Sequence, residues 1–143
     1  MWSGAGKMSQ ADFRAKTILK ATISPSEDPD RVVGALENIL GQSSGEVSLG
    51  SHSVRIVTED AKALLRMRDQ LRDRHVRSAA RRRLLLNREK NSTSLMLNRQ
   101  AATTGILVVC GSPEESPLGP IYLTIESGRL DDVIDWLTSY SEG

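Results

Sequence analysis

Aromatic side chains are scarce in this sequence: Trp2, Phe13, Tyr122, Trp136 and Tyr140 make up 3% of 143 residues. A platform that stacks two or three unpaired bases on exposed rings needs more, so that mode of single-strand recognition is disfavoured. The lone cysteine, Cys110, allows neither an internal disulfide nor a thiolate zinc cage, which excludes a disulfide scaffold and a zinc finger. No apolar run approaches the roughly 18 residues that signal a membrane span, and Met1 to Phe13 lacks a basic segment followed by an apolar one. The chain therefore reads as soluble and cytoplasmic, with no membrane partner. Gly-rich phosphate loops, His-Glu-x-x-His pairs and nucleophile elbows are also missing, so no catalytic residue, metal or other cofactor is expected.

Charge is plentiful and unevenly placed. Between Ala61 and Gln100 stand twelve basic residues, ten of them Arg, against Asp69, Asp73 and Glu89, a net +9 within a chain whose total is +1. Such asymmetry points to a basic surface aimed at a polyanion or an acidic partner. Arg suits phosphate because its planar fork donates two parallel hydrogen bonds and stays charged at any working pH.

The length fits one domain, read as 13–143 behind a disordered tail at 1–12. Alternation over Arg14 to Ser24 predicts a half-buried strand, with Leu19, Ala21 and Ile23 on one side. Asp28-Pro29 opens a helix through Leu40, since Asp accepts from orphan amides and Pro lacks one. Glu46–Leu49 and His52–Val57 read as a hairpin. Thr58 is the expected cap of a long helix that runs without Pro or Gly to about Glu89. Strands are expected at Thr93–Arg99, Ile106–Cys110 and Ile121–Glu126, and a closing helix at Arg129–Ser139. The continuous apolarity of Ile106–Cys110 marks it as the central strand. The order β-α-β-β-α-β-β-β-α gives a two-layer α+β domain, a mixed or antiparallel sheet with helices on one face.

On one continuous helix, Arg66, Arg74, Arg77, Arg81 and Arg88 fall within a wedge of roughly 80°, beside an apolar wedge holding Leu64, Met67, Leu71 and His75. These five are the candidate phosphate contacts, with Arg82, Arg83 and Lys90 as auxiliaries. His75 reads as a core histidine and Cys110 as a buried, inert thiol. Asp131, Asp132 and Asp135 read as dipole-favoured and solvent-face acids of the last helix. The expected function is non-enzymatic binding of structured RNA through backbone contacts. The alternative is an assembly module whose basic helix docks on an acidic partner or forms a homodimer, and a plainly solvated helix face also stays open.

Ser116-Pro117-Leu118-Gly119-Pro120, followed by Ile121-Tyr122-Leu123-Thr124-Ile125, resembles a signature of small uncharacterised archaeal proteins described as predicted RNA-binding, in some cases exosome-associated. The turn Ser24-Pro25-Ser26-Glu27-Asp28 and the element order from Arg14 to Tyr140 agree with it. The resemblance implies the fold of the 5S-rRNA-binding ribosomal protein, a possible homodimer and no catalytic residues to carry over. Physically, two prolines around Leu118-Gly119 restrict a turn that delivers Ile121 to a sheet.

Overall fold

Asp28 and Pro29 start the first helix as their chemistry dictates: the Asp28 carboxylate accepts from the Asp30 amide, and the helix ends at Gly41 with φ of 71°. In the computed structural model, which describes residues 14–41, 45–71 and 73–138, this helix (α1, Pro29–Leu40) follows strand β1 (Ala15–Thr22). A hairpin of β2 (Glu46–Leu49) and β3 (Ser53–Thr58) comes next, then helices α2 (Ala61–Gln70) and α3 (Arg74–Leu86). Strand β4 (Ser92–Leu97), the short helix α4 (Arg99–Thr103), β5 (Val109–Cys110), β6 (Ile121–Ser127) and α5 (Leu130–Thr138) complete the order. The expected tail at 1–12 lies outside the described residues.

Six strands form one antiparallel sheet in the order β2-β3-β1-β6-β4-β5. The helices cover one face, as the alternating strands required. Leu19, Ala21, Val54, Ile56, Leu95, Leu97, Ile121, Leu123 and Ile125 point inward from the sheet. Leu36, Ile39, Leu64, Met67, Leu84, Val133, Ile134 and Leu137 meet them from the helices. Each fully buried Leu or Ile contributes roughly 1.5–3 kcal/mol. Among the described residues, the other face of the sheet has no helix on it.

The expected long helix is two helices. Leu71 closes α2, its amide bonded to the Met67 and Arg68 carbonyls, and the Asp73 carboxylate caps α3 by accepting from the amides of His75 and Val76 at 2.8 and 3.2 Å. An acid inside a basic run thus works as a helix start. The helical phase resets there, which puts His75 in solvent rather than in the core and leaves Arg82 exposed. Asp60, not Thr58, caps α2 by accepting from the Lys62 amide; Thr58 ends β3 and its hydroxyl accepts from the Asp60 amide.

The strand expected to be central is the sheet's edge. Residues 99–105 form α4 and its turn, with Asn98 accepting from the Ala101 amide and Gly105 at φ of 81°. Only Val109–Cys110 remain to pair with β4, and Ile106 and Val108 are exposed. The central pair is β1 and β6, registered from Ala15 against Ser127 to Lys20 against Tyr122.

Candidate nucleic-acid interface

The break at Leu71–Asp73 divides the eight candidate contacts among separate elements. Arg66, on α2, lays its stem against Gly41 and donates from Nε to the Asn38 carbonyl, so it reaches toward α1. Arg74, Arg77, Arg81, Arg82 and Arg83 belong to α3, while Arg88 and Lys90 follow it, Lys90 in a left-handed turn at φ of 55°. Arg81 and Arg88 reach the opposite way, toward α5. One ridge carrying Arg66, Arg74, Arg77, Arg81 and Arg88 is therefore not formed, because the helix that would have aligned them is interrupted.

Acids of α5 meet the basic helix. Arg81 Nη1 lies 2.9 Å from Asp135 Oδ1 and donates to the Thr138 hydroxyl, and Arg88 Nε lies 3.0 Å from Asp131 Oδ1. Of the residues read as dipole-favoured and solvent-face acids, Asp135 pairs with Arg81 of α3, Asp131 with Arg88 just beyond it, and Asp132 with Arg129. Both long-range pairs are open to water, with the two Arg side chains 41% exposed, so each is worth at most about 1 kcal/mol. Arg77 donates to the Leu71 carbonyl at 3.5 Å. Arg74 and Arg82 are exposed, with no carboxylate in ion-pair range among the described residues, and Arg83 is half-buried beside Gly111. Two further basic residues of the run are structural. Arg68 covers the Trp136 ring at 4.9 Å and donates to the Trp136 carbonyl, and Arg99 is buried.

Arg99 is the feature that no reading of the sequence located. Its guanidinium donates from Nη1 to both Glu27 oxygens at 2.9 and 2.8 Å, from Nε to the Gly119 carbonyl and from Nη2 to the Thr22 hydroxyl. The buried Ser116 hydroxyl accepts from the Arg99 amide and donates to the Gly119 carbonyl. The Pro-Leu-Gly-Pro turn is thereby clasped to the β1–α1 turn across the end of the sheet. Burial alone would raise the Glu27 carboxyl, but the Ser24 amide and the Arg99 guanidinium outweigh it and hold Glu27 below the ordinary glutamate range. Burial, then the charge of Glu115, push the Cys110 thiol up, which matches an inert side chain.

No family model matches the chain, but relatives align along most of its length. A UPF0201 protein of Metallosphaera sedula is 33% identical over 123 residues, spanning 85% of this chain and 86% of the relative. The chain belongs to the UPF0201 family. The UPF0201 protein of Sulfurisphaera tokodaii is 34% identical over 125 residues, 86% of each chain. Among solved structures, the UPF0201 protein of Methanococcus jannaschii superposes with a TM-score of 0.72 at 23% identity, covering 90% of this chain and 96% of that one. A DUF54 protein of Sulfolobus solfataricus gives 0.63 at 13% identity, covering 87% and 97%. Membership in a family of uncharacterised archaeal proteins, expected from the Ser-Pro-Leu-Gly-Pro segment, is thus shown, and the fold is shared with its solved members.

Proposed function

We propose that this UPF0201 protein is a non-enzymatic RNA-binding protein, an accessory factor in RNA processing or ribosome-related work in the cytoplasm. Its contact face is the outer side of α3. The observation that carries the reading is the pair Arg74 and Arg82: exposed, two turns apart, and unmatched by any carboxylate among the described residues. Eight residues of helix set them about 12 Å apart along the axis. Lys90, exposed just beyond the helix, is an auxiliary contact and Arg77 flanks the face, whereas Arg83 lies half a helical turn from Arg74, half-buried beside Gly111. Arg81 and Arg88 sit beside it in water-exposed ion pairs weak enough for a phosphate to displace the aspartates. The test is the salt dependence of binding to an RNA hairpin. Replacing Arg74 and Arg82 by Ala should flatten the slope of log K against log salt by nearly one unit per lost contact. An unchanged slope overturns the proposal.

A specific observation also favours the assembly reading. Leu85 and Leu86, 47% and 67% exposed, follow Arg82 at the end of α3. An apolar step beside a cationic one suits an acidic protein partner or a second copy of the chain. Sedimentation of the Leu86→Ser variant separates the two readings, since only assembly through α3 makes the wild type the heavier species.

A further inference from the structure

The uncovered face of the sheet holds a cross-strand row that the fold itself does not explain. Registers across five strand pairs align Ser48, Arg55, Lys20, Tyr122, Met96 and Cys110 side by side, the row being exposed from Ser48 to Tyr122 and closing at half-buried Met96 and buried Cys110. Lys20 stands directly opposite Arg55, both exposed, with Tyr122 on the other side of Lys20 and 42% exposed. Like charges directly opposite each other oppose strand pairing. No carboxylate relieves them: among the described residues neither Lys20 nor Arg55 has an ion-pair partner. Glu46 is opposite Val57 and Glu126 is opposite Lys16, each displaced along its strand from the cationic pair.

The rest of this face narrows the ligand. Around the row lie the hydroxyls of Thr22, Ser53, Ser94 and Thr124, and its apolar members, Ile18, Val57 and Met96, are half-buried. A surface of cations, hydroxyls and two flanking acids, with Tyr122 as its one exposed ring among the described residues, is poorly suited to an apolar protein interface. It suits a chain of phosphates and sugars that carries flat bases. Neighbouring strands are spaced about 4.8 Å apart, so Arg55, Lys20 and Tyr122 span roughly 10 Å.

We propose that this face is a binding site for single-stranded RNA, in which Arg55 and Lys20 hold backbone phosphate and Tyr122 stacks one base. Among the described residues the platform has one ring, Tyr122. Because helices occupy the opposite face, the site is separate from the outer side of α3 and stands even if α3 binds nothing.

The experiment is fluorescence anisotropy of a labelled ten-nucleotide oligouridylate and of a ten-base-pair RNA duplex, with full-length protein. Tyr122→Leu should weaken oligouridylate binding about tenfold and Tyr122→Phe by less than about twofold, because stacking needs the ring and not the hydroxyl. Lys20→Gln and Arg55→Gln should each reduce the salt slope for oligouridylate by about 0.7. In the Arg74→Ala, Arg82→Ala background, Tyr122→Leu should still weaken oligouridylate binding about tenfold, which separates failure of this site from failure of the α3 reading. Binding of oligouridylate that withstands both Tyr122→Leu and Arg55→Gln overturns the proposal. So does a dimer in sedimentation that Tyr122→Leu dissolves without changing oligouridylate affinity, since the face then belongs to a second copy.

Discussion

Replacing Arg99 by Met should be among the most damaging single changes outside the apolar core. Arg99 is 4% exposed and Glu27 12%, so the substitution strands a carboxylate in a site that offers it little water. Removing one partner of a buried ion pair costs about 3–5 kcal/mol. The lower end applies here, about 3 kcal/mol, because Glu27 sits at the rim and keeps the Ser24 amide. With an unfolding entropy near 2.1 cal/mol/K per residue, a chain of 143 residues loses about 10 °C of Tm. Urea titration and thermal melting followed by circular dichroism measure both quantities. The paired change Glu27→Leu with Arg99→Met removes both charges and should recover most of the loss. The folded pKa of Glu27 is depressed, so its contribution is complete above the unfolded glutamate value near 4.3 and is lost as pH falls through the lower folded value. The stability gap between wild type and Glu27→Gln should therefore close on acidification. A loss under 1 kcal/mol for Arg99→Met, or a paired variant as unstable as the sum of the singles, refutes the account.

Two other substitutions test local features. Asp73→Ala removes the cap that restarts the helix after Leu71 and should cost about 1 kcal/mol in urea unfolding, with Asp73→Asn close to wild type. Leu118 holds φ of 66°, a conformation that costs a residue with a Cβ about 1–2 kcal/mol, whereas Gly adopts it freely. Allowing about 0.4–1 kcal/mol for the looser unfolded chain, Leu118→Gly should raise stability by up to about 1 kcal/mol, seen as a Tm increase of a few degrees.

Where neighbouring residues decide the structure, the sequence was readable. Asp28-Pro29 and Gly41 bracket α1 because capping depends on groups within one turn. The alternation of β1, β3, β4 and β6 gives the two-layer architecture because a half-covered sheet demands it. Distant partners decided the rest. Ile106–Cys110 is as apolar as a central strand, yet α4 takes up the chain just before it and the β1–β6 pairing takes the centre. Asp73 stands four residues before Arg77, but Arg81 and, beyond α3, Arg88 have no carboxylate at helical spacing, so their partners stay hidden until α5 brings in Asp135 and Asp131 some fifty residues later. The break at Asp73 had a local signal, an acid in a basic run, hidden by the absence of Pro and Gly.

Pairing Ala15 with Ser127 joins residues 112 positions apart, so the centre of the sheet is the last part that synthesis can complete. Until the C-terminal strand leaves the ribosome, the β2-β3-β1 half and the β4-β5 half have nothing between them, and two bare strand borders wait to be joined. Folding of this chain is governed by a long-distance search, placing it with slow, topologically demanding domains rather than fast helical ones. A truncation before Ile121 would remove the element that fastens the two halves together, not an expendable end.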